Sequence, residues 1–343
     1  MVFIGFIKLE SVGQFSIPIQ PWAKSIENRV LIVELTEENP KEIKKLQKKG
    51  TQALKEYKES LSERNNKLKE LIPKYWPYNN KIEFKKTSEV EEIVKKKDER
   101  YIILNYRYTE EIRQSVKTYY SFNVYTILIY YPEYGKALIK NYKLDDNGNG
   151  TSSFLARGQY IFKISLPQSF LNERDIKFAF HQFKDCIERA KTEGWPMKMS
   201  RYGFKIADFN PNSTLILKDK ILLIPKELLT INENQIMDEY KSSFKIIPLS
   251  QIDSLLKSDM NNEYAYYNIV WSDKTRYWTL LIIDNSTGKI LAENPTTDKK
   301  FQLRINVPIG THSLATLFKT SDVNFVINTE HFKKLTSQIE NGK

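Results

Sequence analysis

Residues 126–141, TILIYYPEYGKALIKN, align without a gap on residues 279–294, TLLIIDNSTGKILAEN. Thr126, Leu128, Ile129, Gly135, Lys136, Leu138 and Asn141 all meet identical partners. Each copy reads as an apolar strand, a turn with glycine and a second strand, the pattern of a hairpin. The match runs on in both directions. Downstream, 160–167 matches 301–308, and a proline closes each segment. Upstream, a strand at 82–84 leads to Ser88-x-x-Glu91 and a helix over 90–97. A strand at 244–247 leads to Ser250-x-x-Asp253 and a helix over 252–257. A serine with an acid three residues on suits a helix start, through side-chain capping and the helix dipole. Aromatic-rich strands follow at 101–108 and 264–271, and Val30–Leu35 corresponds to 221–224. One unit therefore reads β-α-β-α-β-β-β. A repeat of this length is a duplicated domain, not a solenoid, and 343 residues hold two such units.

The expected fold is α/β with two similar domains, each a mixed sheet with helices. Residues 14–194 form the first, 195–212 a linker and 213–343 the second. A helix over 176–191 and a final helix over 330–339 are matching elements. The first crossover helix is expected over 40–72, with Asn39 as cap and Pro40 at the tolerated first position. Ile43, Leu46, Ala53, Leu54, Tyr57, Leu61, Leu68 and Leu71 make its apolar stripe, and Gly50 is a point where it can bend or break. Its counterpart in the second copy spans only about 233–241.

Charge is concentrated in the segment that contains that helix. The chain carries a formal net charge of +11. Residues 41–100 hold 18 Lys and Arg against 11 Asp and Glu, so seven of the eleven excess charges fall there. Glutamates are interleaved at helical spacing, as on a solvated, ion-paired face. Nothing resembles a ribonucleoprotein motif, a zinc finger or an Arg-rich tract.

Several functions lack their usual signatures. No stretch reaches the ~20 apolar residues of a membrane-spanning helix. One cysteine excludes an internal disulfide framework and a multi-cysteine metal site, and three histidines offer little for a metal centre. Gly135-Lys136 and Gly288-Lys289 lack the upstream glycine of a phosphate loop. Asp145-x-Asn147-x-Asn149-Gly150 matches the first half of a calcium loop, but its twelfth position is Ala156 where a bidentate Glu is required. Asp145, Asn147 and Asn149 thus read as a hairpin loop, with weak metal-ligand character. His181 and Cys186 point to different faces of one helix and do not make a nucleophile–base pair. His312 and His331 have no neighbours at ligand spacing. No cofactor is expected.

The first thirteen residues, MVFIGFIKLESVG, resemble the end of a secretory signal peptide, with small residues before Gln14 but no basic start. This implies a periplasmic or secreted protein, with a cytoplasmic one as the alternative.

The unit order, with a hairpin of the type L-x-I-x-D-x-x-x-G-K-x-L at 280–291, resembles the TolB N-terminal domain and the curli-secretion lipoprotein. The start at Gln14 and the Lys/Asn/Tyr-rich composition look like secreted proteins of Bacteroidota. The resemblance implies a non-enzymatic envelope protein that binds a protein partner. The residues expected to make that contact are Lys44, Lys45, Lys48 and Lys49 on the basic helix, with Trp76 and Tyr78 in the aromatic cluster after it. Two other readings stay open. One is a nucleic-acid-binding protein. The other is a hydrolase, which requires a pocket at the domain interface with carboxylates of perturbed pKa.

Overall fold

The computed structural model describes residues 20–78, 81–114, 119–133, 142–144, 150–152, 161–166, 172–193, 211–256, 261–272, 277–294 and 327–341. The leader expected at 1–13, the loop of Asp145, Asn147 and Asn149, Gly135-Lys136, most of the linker 195–212, the strand 301–308 and His312 lie outside them.

A short helix α1 (Gln20–Ser25) precedes the first repeat. The repeat runs β1 (Val30–Leu35), α2 (Pro40–Lys49), α3 (Thr51–Tyr75), β2 (Ile82–Lys86), α4 (Thr87–Lys96), β3 (Tyr101–Gln114) and β4 (Tyr119–Tyr130). Next come the short strands β5 (Tyr142–Leu144) and β6 (Gly150–Ser152), then β7 (Phe162–Leu166) and α5 (Glu173–Glu193). The strand order is β2-β1-β3-β4-β7, with β6 also joined to β3 and β5 to β6. β2, β1 and β3 are parallel, β4 pairs antiparallel with β3, and β7 pairs antiparallel with β4.

After a 3-10 stretch, Pro211–Asp219, the second repeat follows the same plan. It runs β8 (Ile221–Pro225), α6 (Glu233–Glu239), β9 (Phe244–Ile247), α7 (Leu249–Leu256), β10 (Tyr264–Ser272), β11 (Tyr277–Asp284), β12 (Ile290–Asn294) and α8 (Thr329–Asn341). The order is β12-β11-β10-β8-β9, again three parallel strands followed by two antiparallel ones. The fold is α/β with two mixed sheets.

Pairing register supports the duplication residue by residue. Asn105 of β3 stands opposite Leu128 of β4, and Asn268 of β10 opposite Leu281 of β11. This is the Leu128–Leu281 equivalence of the gapless alignment. Both asparagines are buried. The copies part company at the next strand. β11 pairs with β12 in the expected hairpin, whereas β4 pairs with β7.

The first sheet alternates its side chains between two cores, as strand geometry requires. Leu31, Val33, Ile102, Leu104, Ile127 and Ile129 join the large core with α3 and α5. Ile32, Ile103, Leu128 and Tyr130 join a smaller one with Val90 and Val94 of α4. Each repeat ends in a helix against its first crossover helix and an edge strand: α5 against α3 and β7, α8 against α6 and β12.

Local chemistry breaks the long helix at the glycine where a break was allowed for, and departs from expectation at two further points. The helix expected over 40–72 is two helices that pack together, broken at Gly50, whose φ of +119° favours glycine. α3 then runs past Pro73 to Tyr75, because Trp76 N–H still reaches Ile72 O at 2.9 Å. Ser88 and Ser250 sit inside their helices rather than capping them. The helices start at Thr87 and Leu249, one residue before those serines and three before the expected starts at 90 and 252, and carboxylates from outside receive their first N–H groups. Glu37 accepts from Ser88 N at 2.8 Å, and Glu227 from Leu249 N at 2.9 Å. The hydrogen bond from Ser88 holds the Glu37 carboxyl below its usual range.

Candidate functional site

α5 positions the site. Asn172 caps it, its Oδ1 accepting from Asp175 N at 2.8 Å, and Glu173 and Asp175 in the first turn suit the dipole. At helical spacing the chain then presents two opposed faces. Ile176, Phe180, Phe183 and Ile187 turn to the first repeat, where Phe180 and Phe183 lie 5.3 and 5.4 Å from the Trp76 ring. Arg174, Asp175, His181 and Gln182 turn to the second. Gln182 donates to Gly288 O at 3.2 Å, Asn268 donates to Asp175 at 3.4 Å, and Arg174 stacks over Tyr266 at 5.5 Å. The helix expected to belong to the first domain is thus packed between the two.

Where its first turns emerge, a cleft of about 550 Å³ opens between the repeats. α3 lines it with Lys67, Glu70, Leu71, Lys74 and Tyr75. α5 adds Asn172, Glu173, Arg174 and Lys177. Asp253 and Leu256 of α7, and Asn285 after β11, close the far side. The volume is that of a small-molecule site.

Most of these charges are already paired. Lys67 meets Glu63 at 3.0 Å. Lys74 and the Tyr75 hydroxyl both bond Glu173, and that contact raises the Lys74 pKa. Arg174 reaches Asp253 at 3.3 Å. Two groups are left over. Lys177, half-buried, has no ion pair within 4 Å among the described residues, and burial lowers its pKa against the pull of Asp284 and Glu173. Glu70, on α3, also has no such partner.

The turn after β11 braces the floor. Burial opposes ionisation of Asp284, but hydrogen bonds from Thr287, Lys220 and Ser286 prevail and keep its pKa low. Thr287 Oγ1 lies at 2.6 Å and Lys220 Nζ at 3.0 Å. This accounts for the Asp of the sequence pattern at 280–291.

Asp175 lies beneath the cleft with its side chain 2 % exposed. Burial pushes its pKa up to about 6, against the opposing pull of Arg174. It meets the electrostatic part of the hydrolase expectation and not the part that needs access to substrate. A raised folded-state pKa adds stability that is complete below about pH 4 and is lost as pH rises through about 6. The loss is on the order of 3 kcal/mol for a shift of about two units. The difference in urea stability between the parent and Asp175→Asn is therefore expected to change by that order between pH 4 and 7. A difference constant with pH would contradict this assignment.

The contact residues expected from sequence do not line the cleft. Lys44, Lys48 and Lys49 are exposed on α2, and Lys45 is half-buried there. Trp76 and Tyr78 are only 7 % and 9 % exposed and belong to the main core. His181 pairs with Asp185 at 3.2 Å, and His331 bonds Asn328 at the start of α8. Among the described residues no group of three His, Cys, Asp or Glu could hold a metal ion, and no helix is long and apolar enough to cross a membrane. The residues that sequence reasoning missed are Lys177 and Glu70. The signal for Lys177 was its place in the first turn of a predicted helix; nothing local marked Glu70. A scan against protein-family models and searches of curated proteins and of solved structures find no match for this chain.

Proposed function

We propose that the protein is a binding module that takes a small zwitterionic ligand, of the amino-acid or short-peptide class, in the cleft between its repeats. The observation that carries this reading is the pairing pattern. Once the ion pairs among the described residues are drawn, one ammonium (Lys177, on α5) and one carboxylate (Glu70, on α3) are left lining one cleft. A half-buried cation without a partner is costly, and an anionic ligand group supplies the partner that the chain does not. Asn172 and Asn285 add neutral polar groups to the lining.

Calorimetric titration with a panel of amino acids and dipeptides tests this, with inorganic phosphate as a purely anionic probe and glucose as a neutral one. Zwitterions are expected to bind and glucose not. Lys177→Met should weaken zwitterion binding at least about tenfold, the value of one charge-assisted hydrogen bond. Glu70→Gln should weaken zwitterions and leave phosphate unchanged. Silence across the panel, or parent-like binding by Lys177→Met, would overturn the reading.

A further inference from the structure

α2 carries five lysines in ten residues, Lys41, Lys44, Lys45, Lys48 and Lys49, against one acid, Glu42. At 100° per residue they fall within about 140° of the helical wheel. Ile43 and Leu46 occupy the opposite side and are half-buried, on a helix that packs against α3. Only Lys45 has a pairing contact, a distant one of 4.0 Å to Glu42. Lys41, Lys44, Lys48 and Lys49 have none among the described residues. On the neighbouring α3, by contrast, four of the five lysines, Lys55, Lys58, Lys67 and Lys74, meet a glutamate, and only Lys69 has none among the described residues.

Folding alone does not account for this face. The pairs 41–44, 41–45, 44–48, 45–48 and 45–49 all set like charges at neighbouring positions, which opposes the helix. The dipole favours lysine only at the C-terminal end, where Lys48 and Lys49 lie. It disfavours Lys41 and Lys44 in the first turns. Apart from Glu42 beside Lys45, no carboxylate among the described residues lies within 4 Å of these lysines, so the face is open to an anionic partner.

We propose that α2 is an electrostatic docking face for an anionic lipid surface, a property independent of the cleft reading. The ammonium groups project from one side of a straight helix of under three turns, so a planar field of negative headgroups meets all of them together. The face has no arginine for bidentate phosphate contact and no aromatic for base stacking, the groups that nucleic-acid surfaces recruit. Its apolar residues are turned inward, so the attachment is peripheral and depends on salt.

The test is co-sedimentation of the full chain with large vesicles of phosphatidylcholine, alone or with about one third phosphatidylglycerol, at about 0.05 M and 0.5 M NaCl. Binding to the anionic vesicles alone, lost at high salt, is expected. The triple change Lys44→Glu, Lys48→Glu, Lys49→Glu should lower partition at least tenfold with an unchanged thermal midpoint, while Lys95→Glu with Lys96→Glu on α4 should have little effect. Failure to bind anionic vesicles, parent-like binding by the triple variant, or displacement from vesicles by a short DNA duplex would each overturn the proposal.

Discussion

Replacing Gly288 by alanine is expected to destabilise the protein by about 2–4 kcal/mol, a large effect for one added methyl group. Two causes add. Gly288 has φ +74°, in the left-handed region where a β-carbon costs roughly 1 kcal/mol. The new Cβ would also stand 2.8 Å from Cβ of His181 and 3.4 Å from the carbonyl of Lys177. The Lys177 carbonyl is at ordinary contact distance, but the His181 Cβ is fixed to the α5 backbone, so α5 itself would have to move, at an overpacking cost of roughly 1–3 kcal/mol. The shift would also strain the bond from Gln182 to Gly288 O and displace Lys177 in the cleft. Urea unfolding measures it directly. A loss below about 0.5 kcal/mol, the level of an ordinary surface change, would mean that α5 does not press on this turn.

Trp76→Ala should cost about 3–5 kcal/mol. The indole touches Tyr78, Phe180 and Phe183 with ring centroids 5.3–5.8 Å apart, and Phe183 in turn meets Phe162 of the edge strand at 5.5 Å. This cluster fastens α5 to the first repeat. Its truncation leaves a cavity among rings from three segments far apart in sequence, and should lower the thermal midpoint by roughly 10 °C. A midpoint unchanged within a degree or two would place the ring outside the core.

These two residues show what could and could not be read from sequence. Gly288 was legible, because it recurs at Gly135 within a gapless match whose register the sheets reproduce at Leu128 and Leu281. The order of elements was legible for the same reason: a repeated pattern of apolar strands and helices averages out local noise. Trp76 and Tyr78 were not. An aromatic cluster at a helix end looks alike whether it meets solvent or a partner, and the partner here arrives about 100 residues later as Phe180 and Phe183. The helix starts at Thr87 and Leu249 lie three residues before the expected ones, since the carboxylates that receive them, Glu37 and Glu227, come from a different segment. The Lys177 and Glu70 pair was hidden for a related reason. Which charges stay unpaired is decided only when α3, α5 and α7 come together and Lys74, Arg174, Glu173 and Asp253 satisfy one another.

Anomalous diffraction from crystals grown with selenate, a small oxyanion that reports its own position, tests whether the cleft holds an anion at Lys177. A selenium peak is expected in the cleft between the repeats, within about 3 Å of Lys177 Nζ, and is expected to vanish in Lys177→Met. Selenium found only among the exposed lysines of α2, with the cleft empty at the same concentration, would contradict it.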